Sequence, residues 1–169
     1  MLIDIRDISQ GRASFIDIEM EIGPAEWSDS VLGNRLTGLP RFKGRLAGAG
    51  KGSFSLTGRL LAAVTGECAR CLKPVSCELD IHVDELYRSG AAEETSETED
   101  CYRFAGWSVD LLPALRDNLV LAIPLRLYCR EDCRGICATC GADLNEKPCG
   151  CATAGDKANT PFSKLKELL

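Results

Sequence analysis

The chain has 169 residues, enough for one domain of ordinary size with an apolar core of its own, so a staple is helpful but not obligatory everywhere. Its formal charge of −5 argues against indiscriminate binding to phosphate backbones. The longest apolar stretch, Leu119 to Leu125, contains Pro124 and is too short to span a bilayer, which argues against a membrane protein.

The opening residues, MLIDIRDISQGRASFIDIEMEI, carry acids at Asp4, Asp7, Asp17, Glu19 and Glu21 and lack both a basic start and an unbroken apolar run. No secretory signal is expected, and a cytoplasmic, reducing setting follows as the expectation. Ile16, Ile18, Met20 and Ile22 alternate with the acids, which predicts a half-buried strand over residues 12–22. Arg41 to Leu46 alternates again, and the glycines from Gly48 to Gly52 predict a hairpin. Phe54, Leu56, Leu60, Ala62 and Val64 share one side of the next strand. Cys77, Leu79, Ile81 and Val83 share one side of another, opposite Glu78, Asp80, His82 and Asp84. Four or five antiparallel strands result, and their apolar face must be covered or closed on itself.

Charge is segregated along this region. From Ser30 to Gly66 there is no acid, while Arg35, Arg41, Lys43, Arg45, Lys51 and Arg59 fall inside, with Phe42 and Phe54 interleaved. The functional reading is a face for RNA or an acidic partner; the plainer one is a solvated sheet face. Residues 89–100 are rich in acids and poor in large apolar groups, so they are expected to form a mobile loop. Next comes a predicted helix: Asp110 stands as its N-cap, Pro113 lies in its first turn, and Leu111, Leu112, Leu115, Leu119 and Ile123 recur at helical spacing until Pro124 stops it. A short terminal helix, marginal alone, is expected at the far end, where Phe162, Leu165 and Leu169 lie. The fold class is thus α+β: an antiparallel β-sheet or partly closed barrel covered by one helix over residues 1–128, a zinc-binding segment over 129–151, and a linker with a short helix over 152–169.

Ten cysteines carry the chemistry. Cys68-x2-Cys71 lies between two strand-like runs, as in a zinc knuckle, and no βαβ pattern supports a thioredoxin-like dithiol. Cys129, Cys133, Cys137, Cys140, Cys149 and Cys151 follow within twenty-three residues. Eight thiols suffice for two closed four-sulfur sites, hence one or two zinc ions. The preferred partition gives Cys137, Cys140, Cys149 and Cys151 to one ion and Cys68, Cys71, Cys129 and Cys133 to the other; exchange of Cys133 for Cys137 stays open. Arg70 and Lys73 are candidate donors to the thiolates, and Arg126, Arg130, Arg134 and Lys147 are candidate compensating charges. A closed site leaves no position for water, so its role is structural. Cys77 reads as a core thiol, Cys101 receives no role, and His82, the only histidine, reads as solvated decoration. No acid/base constellation or phosphate-cradling loop is visible, so no enzyme is expected.

The segments CARCLKPV at Cys68 to Val75, VDLLPALRDNLVLAIPL at Val109 to Leu125 and CREDCRGICATCGADLN at Cys129 to Asn145, followed by CGC and by the ending FSKLKELL, match a family in arrangement and order. On these motifs the chain resembles the YceD family of large ribosomal RNA subunit accumulation proteins. The resemblance implies a ribosome biogenesis factor that supports accumulation or processing of large-subunit ribosomal RNA. The implied partners are that RNA or a precursor ribosomal particle, and a small zinc-binding ribosomal protein. It implies no catalytic site. The rival readings are a zinc-thiolate redox switch and a chaperone-like protein.

Overall fold

The structure is a computed structural model that describes residues 1–23, 26, 35–50, 52–90 and 101–151. Nearly all of the expected acidic loop, all of the expected linker and terminal helix, and Lys51 lie outside these residues. In chain order the elements are β1 (Leu2–Asp4), α1 (Arg6–Ser9), β2 (Phe15–Glu21), β3 (Arg41–Gly50), β4 (Ser53–Glu67), β5 (Pro74–Ser89), β6 (Tyr102–Phe104), β7 (Ser108–Asp110) and α2 (Leu112–Ala122).

The chain divides into two compact units, Met1–Gly66 with Ser76–Leu125, and Glu67–Val75 with Arg126–Leu169. The knuckle Cys68–Cys71 falls in the second unit, where it meets Leu127, Cys129 and Cys133. Five strands lie in the order β2-β3-β4-β5-β6, and β1 pairs with β7 in a second, two-stranded sheet. This open order replaces the partly closed barrel. The larger sheet is mixed, because β6 runs parallel to the end of β5, with Tyr87 opposite Tyr102 and Ser89 opposite Phe104. Residues 90–101 supply the connection of about a dozen residues that a parallel pair requires.

Register sets which side chains meet. On the inner face β2, β3 and β4 align Ile16–Leu46–Leu56, Ile18–Gly44–Gly58 and Met20–Phe42–Leu60 in three cross-strand rows. Phe42, Leu46, Leu56 and Leu60 are fully buried there, in one cluster with Ile8 of α1 and Ala114, Leu115 and Leu119 of α2. Two helices, not one, thus contribute to this core. The middle row is special because Gly44 faces Gly58 and the Phe42 ring lies over both. The α2 helix starts one residue later than the N-cap reading supposes: Leu111 is the N-cap, and the Asp110 carboxylate accepts the Leu112 N–H at 3.1 Å. At its end Ile123 is extended, as the residue before a proline must be. Among the described residues no helix is long and apolar enough to cross a membrane.

Tyr87 is 1% exposed, and its hydroxyl has no hydrogen-bond partner among the described residues. Burial pushes its phenol well above the usual range. A buried hydroxyl without a partner costs stability, so Tyr87→Phe is expected to raise the free energy of unfolding by about 1 kcal/mol. Urea unfolding followed by Trp107 fluorescence checks this; a lowered midpoint would contradict it.

Candidate metal centre

Among its described residues the second unit buries few apolar side chains. Its described buried cluster consists of Cys68, Cys71 and Cys133 with Val75 packed against it. Beyond the ends of β4 and β5 its regular pairing among the described residues is limited to isolated bridges, Cys68 with Leu127 and Ile136 with Asp143. Sulfur takes the place that leucine and isoleucine hold in the first unit.

Backbone hydrogen bonds shape the knuckle. The Cys68 N–H donates to the Lys73 carbonyl at 2.8 Å, the Leu72 N–H returns to the Cys68 carbonyl at 2.9 Å, and the Ala69 N–H donates to the Leu127 carbonyl at 2.8 Å. Leu72 takes the left-handed conformation, φ 61°, to close the turn. This brings the Cys68 sulfur to 3.8 Å from that of Cys133, and the Cys71 sulfur to 3.6 Å from that of Cys129. A disulfide needs an S–S distance of about 2.0 Å, so these are neighbouring thiols and not bonded pairs. All ten cysteines are free.

Two groups of four emerge: Cys68, Cys71, Cys129 and Cys133, and Cys137, Cys140, Cys149 and Cys151. Within each, the sulfur atoms all lie within 4.8 Å of one another. Four soft donors converging in this way are able to hold one metal ion per group. The thiols within each group differ in their electrostatics. The Cys129 backbone N–H, directed at the Cys68 sulfur, draws that thiol down to about 6, and the Cys140 backbone N–H does the same for Cys137, also to about 6. Cys129 is pushed up to about 12 by its neighbour Cys133, and Cys151 to about 12 by Cys140. In each tetrad, therefore, backbone N–H groups favour ionisation of some thiols while neighbouring sulfurs oppose ionisation of others.

Polar side chains frame the sulfurs. Arg70 donates to the carbonyls of Glu131 at 2.8 Å and Cys133 at 2.9 Å and lies 4.8 Å from the centre of the Tyr128 ring, so it braces the backbone and not the thiolates. Lys73 pairs with Asp143 at 2.7 Å and with Glu146 at 2.9 Å. That ammonium holds the Asp143 carboxyl down at about 2. Asn145 donates to the Cys133 sulfur at 3.5 Å. Sequence reasoning passed over Asn145 and Asp143; the short Asp143-x-Asn145 spacing, suited to a side-chain-closed turn, was the available signal. Gly135 is left-handed at φ +77°, and a Cβ there would stand 2.9 Å from the Arg70 carbonyl oxygen, which accepts the Ile136 N–H. Gly135→Ala is expected to lower stability of the metal-loaded unit by about 1–2 kcal/mol, read as a lower thermal midpoint. An unchanged midpoint would show that this turn tolerates a side chain.

Four of the six basic residues of the 30–66 segment stand on the strands in surface ion pairs. Arg41 pairs with Glu21 at 3.3 Å, Lys43 with Glu19 at 3.2 Å, Arg45 with Asp17 at 2.8 Å and Arg59 with Asp80 at 3.0 Å. Arg45 also stacks over the Phe15 ring at 3.7 Å. Arg35 contributes its carbonyl to the Thr65 N–H, and Lys51 lies outside the described residues. His82 is exposed on β5, and Cys77 and Cys101 are half-buried outside the tetrads.

A mostly β protein with two four-cysteine clusters in a small, core-poor unit is the class that this architecture defines. The family model for the large ribosomal RNA subunit accumulation protein YceD matches residues 56–169, from within β4 onward, and the chain belongs to the YceD family. An uncharacterized protein of Mycobacterium tuberculosis is 34% identical over 116 residues, which are 68% of this chain and 55% of the relative. One of Mycobacterium leprae is 28% identical over 116 residues, 68% of this chain and 52% of the relative. The Arabidopsis thaliana protein named Large ribosomal RNA subunit accumulation protein YCED homolog 1, chloroplastic, is 35% identical over 62 residues, 36% of this chain and 19% of that protein. The chain thus spans about half the length of the mycobacterial relatives it matches. No solved structure matches it.

Proposed function

We propose that each tetrad holds one structural zinc ion, and that the chain is a non-enzymatic factor supporting accumulation or processing of large-subunit ribosomal RNA. The observation that carries the metal reading is the sulfur spacing: a zinc ion with four sulfurs at about 2.3 Å has tetrahedral edges of roughly 3.8 Å, beside the 3.8 Å and 3.6 Å found in the first tetrad. The family name carries the ribosomal reading. Four sulfurs close the coordination sphere and leave no site for a reactive water, which favours a scaffold over a hydrolytic centre. Within the scaffold the ion replaces an apolar core. Its partner is a precursor of the large subunit. Because the bases of β3 and β4 are matched by acids on β2 and β5, the contact by Arg41, Lys43, Arg45 and Arg59 suits a protein with exchangeable ion pairs better than bare phosphate.

Depletion of the protein in its own cells is expected to lower mature large-subunit RNA relative to small-subunit RNA, with restoration by the intact chain and not by one lacking Cys68. Unaltered subunit profiles on depletion would contradict the ribosomal reading. A second reading, oxidative release of zinc, is favoured by the exposure of Cys129 and Cys140. Mild peroxide then ejects the ions; full retention counts against it.

Metal uptake is linked to protons. Cys129 and Cys151, held near 12, keep their protons at neutral pH until a cation arrives, whereas Cys68 and Cys137, near 6, are already ionised. The lowered pair favours the anionic, metal-ready state above its ordinary range and loses that advantage as pH falls through about 6. Zinc affinity measured against a competing chelator is therefore expected to drop by roughly tenfold or more between about pH 8 and about pH 5.5. A flat profile would exclude thiolate ligation.

A further inference from the structure

The loop that closes the second tetrad also holds the first. Residues 141–148 separate Cys140 from Cys149, and among them Asn145 Nδ2 donates to the Cys133 sulfur at 3.5 Å. The Oδ1 of the same amide accepts the Arg134 backbone N–H and an Arg130 guanidinium N–H, both at 2.8 Å, so one side chain ties the backbone just after Cys133 and the side chain of Arg130 before it. Asp143 Oδ1 holds Asn145 in turn, accepting its backbone N–H at 2.8 Å and its Nδ2 at 2.7 Å. The other oxygen of Asp143 takes Lys73, two residues beyond Cys71, at 2.7 Å. The backbone completes the clasp, because the Leu144 N–H donates to the Gly135 carbonyl at 2.9 Å.

The ties just named join the loop to the first tetrad, and the second tetrad's Cys140 and Cys149 stand at its two ends. No helix or strand lies within 137–151, and the internal backbone bonds there are local: Cys137 N–H to the Ala142 carbonyl and Gly141 N–H to the Cys137 carbonyl, both at 2.8 Å, and the N–H groups of Glu146 and Lys147 to the Asp143 carbonyl at 3.2 Å. An ion gripped by Cys137, Cys140, Cys149 and Cys151 orders the loop. An ordered loop places Asn145 against Cys133. The entropy of arranging that ligand is then already spent when the first tetrad takes its own ion.

We propose that the two tetrads load cooperatively, with Asn145 as the positioning residue that passes filling of the Cys137, Cys140, Cys149 and Cys151 site to Cys133 in the other. This rests on the metal reading given above. By reciprocity, an ion in the first tetrad tightens the second by the same factor. The unit accordingly switches between unloaded and doubly loaded over a narrow range of free zinc and spends little time half-filled.

The full chain, stripped of metal and titrated with zinc, is examined by native mass spectrometry, which counts species with no, one and two ions. Two independent sites give a one-ion species that reaches about half of the molecules or more at half-loading, whereas a tenfold coupling holds it to about a quarter. The intact chain is expected to stay near or below a quarter. Asn145→Ala is expected to weaken the first tetrad by about 10–100-fold, so that the one-ion species rises above half before the second ion enters. Asn145→Asp keeps the acceptor for Arg130 and Arg134 but loses the donor to sulfur, and is expected to behave like the alanine variant. A one-ion species at half or more in the intact chain would overturn the coupling, and this readout stands even if a variant fails to fold. Cooperative loading that survives in both variants would overturn the role of Asn145. Binding of no ion at all would overturn the metal reading itself.

Discussion

Cys68→Ser is expected to remove one of two zinc ions per chain and to unravel the first tetrad's surroundings, residues 67–75 and 126–136. Cys68 is fully buried at the centre of a cluster whose other members are Cys71, Cys133 and Val75. Removing one sulfur leaves three of the four thiols that the proposed ion would need, and among the described residues the cluster around it holds no leucine to support the fold without it. The loss of affinity should exceed the ~10–100-fold that follows removal of an outer-sphere partner, since a ligand itself is gone. The knuckle bonds from Cys68 to Lys73 and Leu72 then lose their anchor, and hydrogen exchange of the Leu72 and Ala69 amides should become fast. Metal content and exchange rates measured on one sample check both parts. Cys77→Ser, outside either tetrad, is the control and should change neither. A Cys68→Ser protein that kept two ions and slow exchange would place the metal elsewhere.

Gly58→Val is expected to destabilise the first unit by about 3 kcal/mol, against the direction that strand propensity gives. Valine favours strands, by up to ~1 kcal/mol on an open surface. Here a Cβ would stand 2.6 Å from the Gly44 Cα, 2.6 Å from the Lys43 carbonyl oxygen and 2.8 Å from Phe42 Cζ. Two of these three atoms are backbone, so the neighbours cannot simply rotate away. Relief requires parting β3 from β4 or expelling the Phe42 ring from the core, and overpacking of this kind costs about 1–3 kcal/mol or more. Measured as a shift in urea midpoint, the loss is a large share of a total stability of about 5–15 kcal/mol. A midpoint unchanged or raised would show that the two glycines are not in close contact.

Long, regular features were legible from residue order alone. Alternation marked β2, β3, β4 and β5, and leucine spacing with Pro124 marked α2, because each extends over enough residues for a period to show. Cysteine spacing marked the eight thiols that the structure gathers in two groups. Short features escaped: β1, β6 and β7 have three residues each and α1 has four, too few for any pattern. The parallel pairing of β6 with β5 escaped as well, since it depends on a crossover and not on either strand's composition. The ion pairs of the basic stretch were hidden for a spatial reason. Its acids come from β2, earlier in the chain, and from β5, later, and the sheet order sets those strands on either side of β3 and β4. A linear count of charge cannot register that cancellation. The spacing of Asp143 and Asn145 hinted at a turn, but the reach of Asn145 to Cys133, twelve positions back, is created only by folding.

The most direct test of the account is elemental analysis of freshly purified chain together with thiol counting under native conditions. The account predicts close to two zinc ions per chain, with the eight tetrad cysteines slow to alkylate until a chelator is added. Protein free of metal, with all ten cysteines reacting at once, would contradict it.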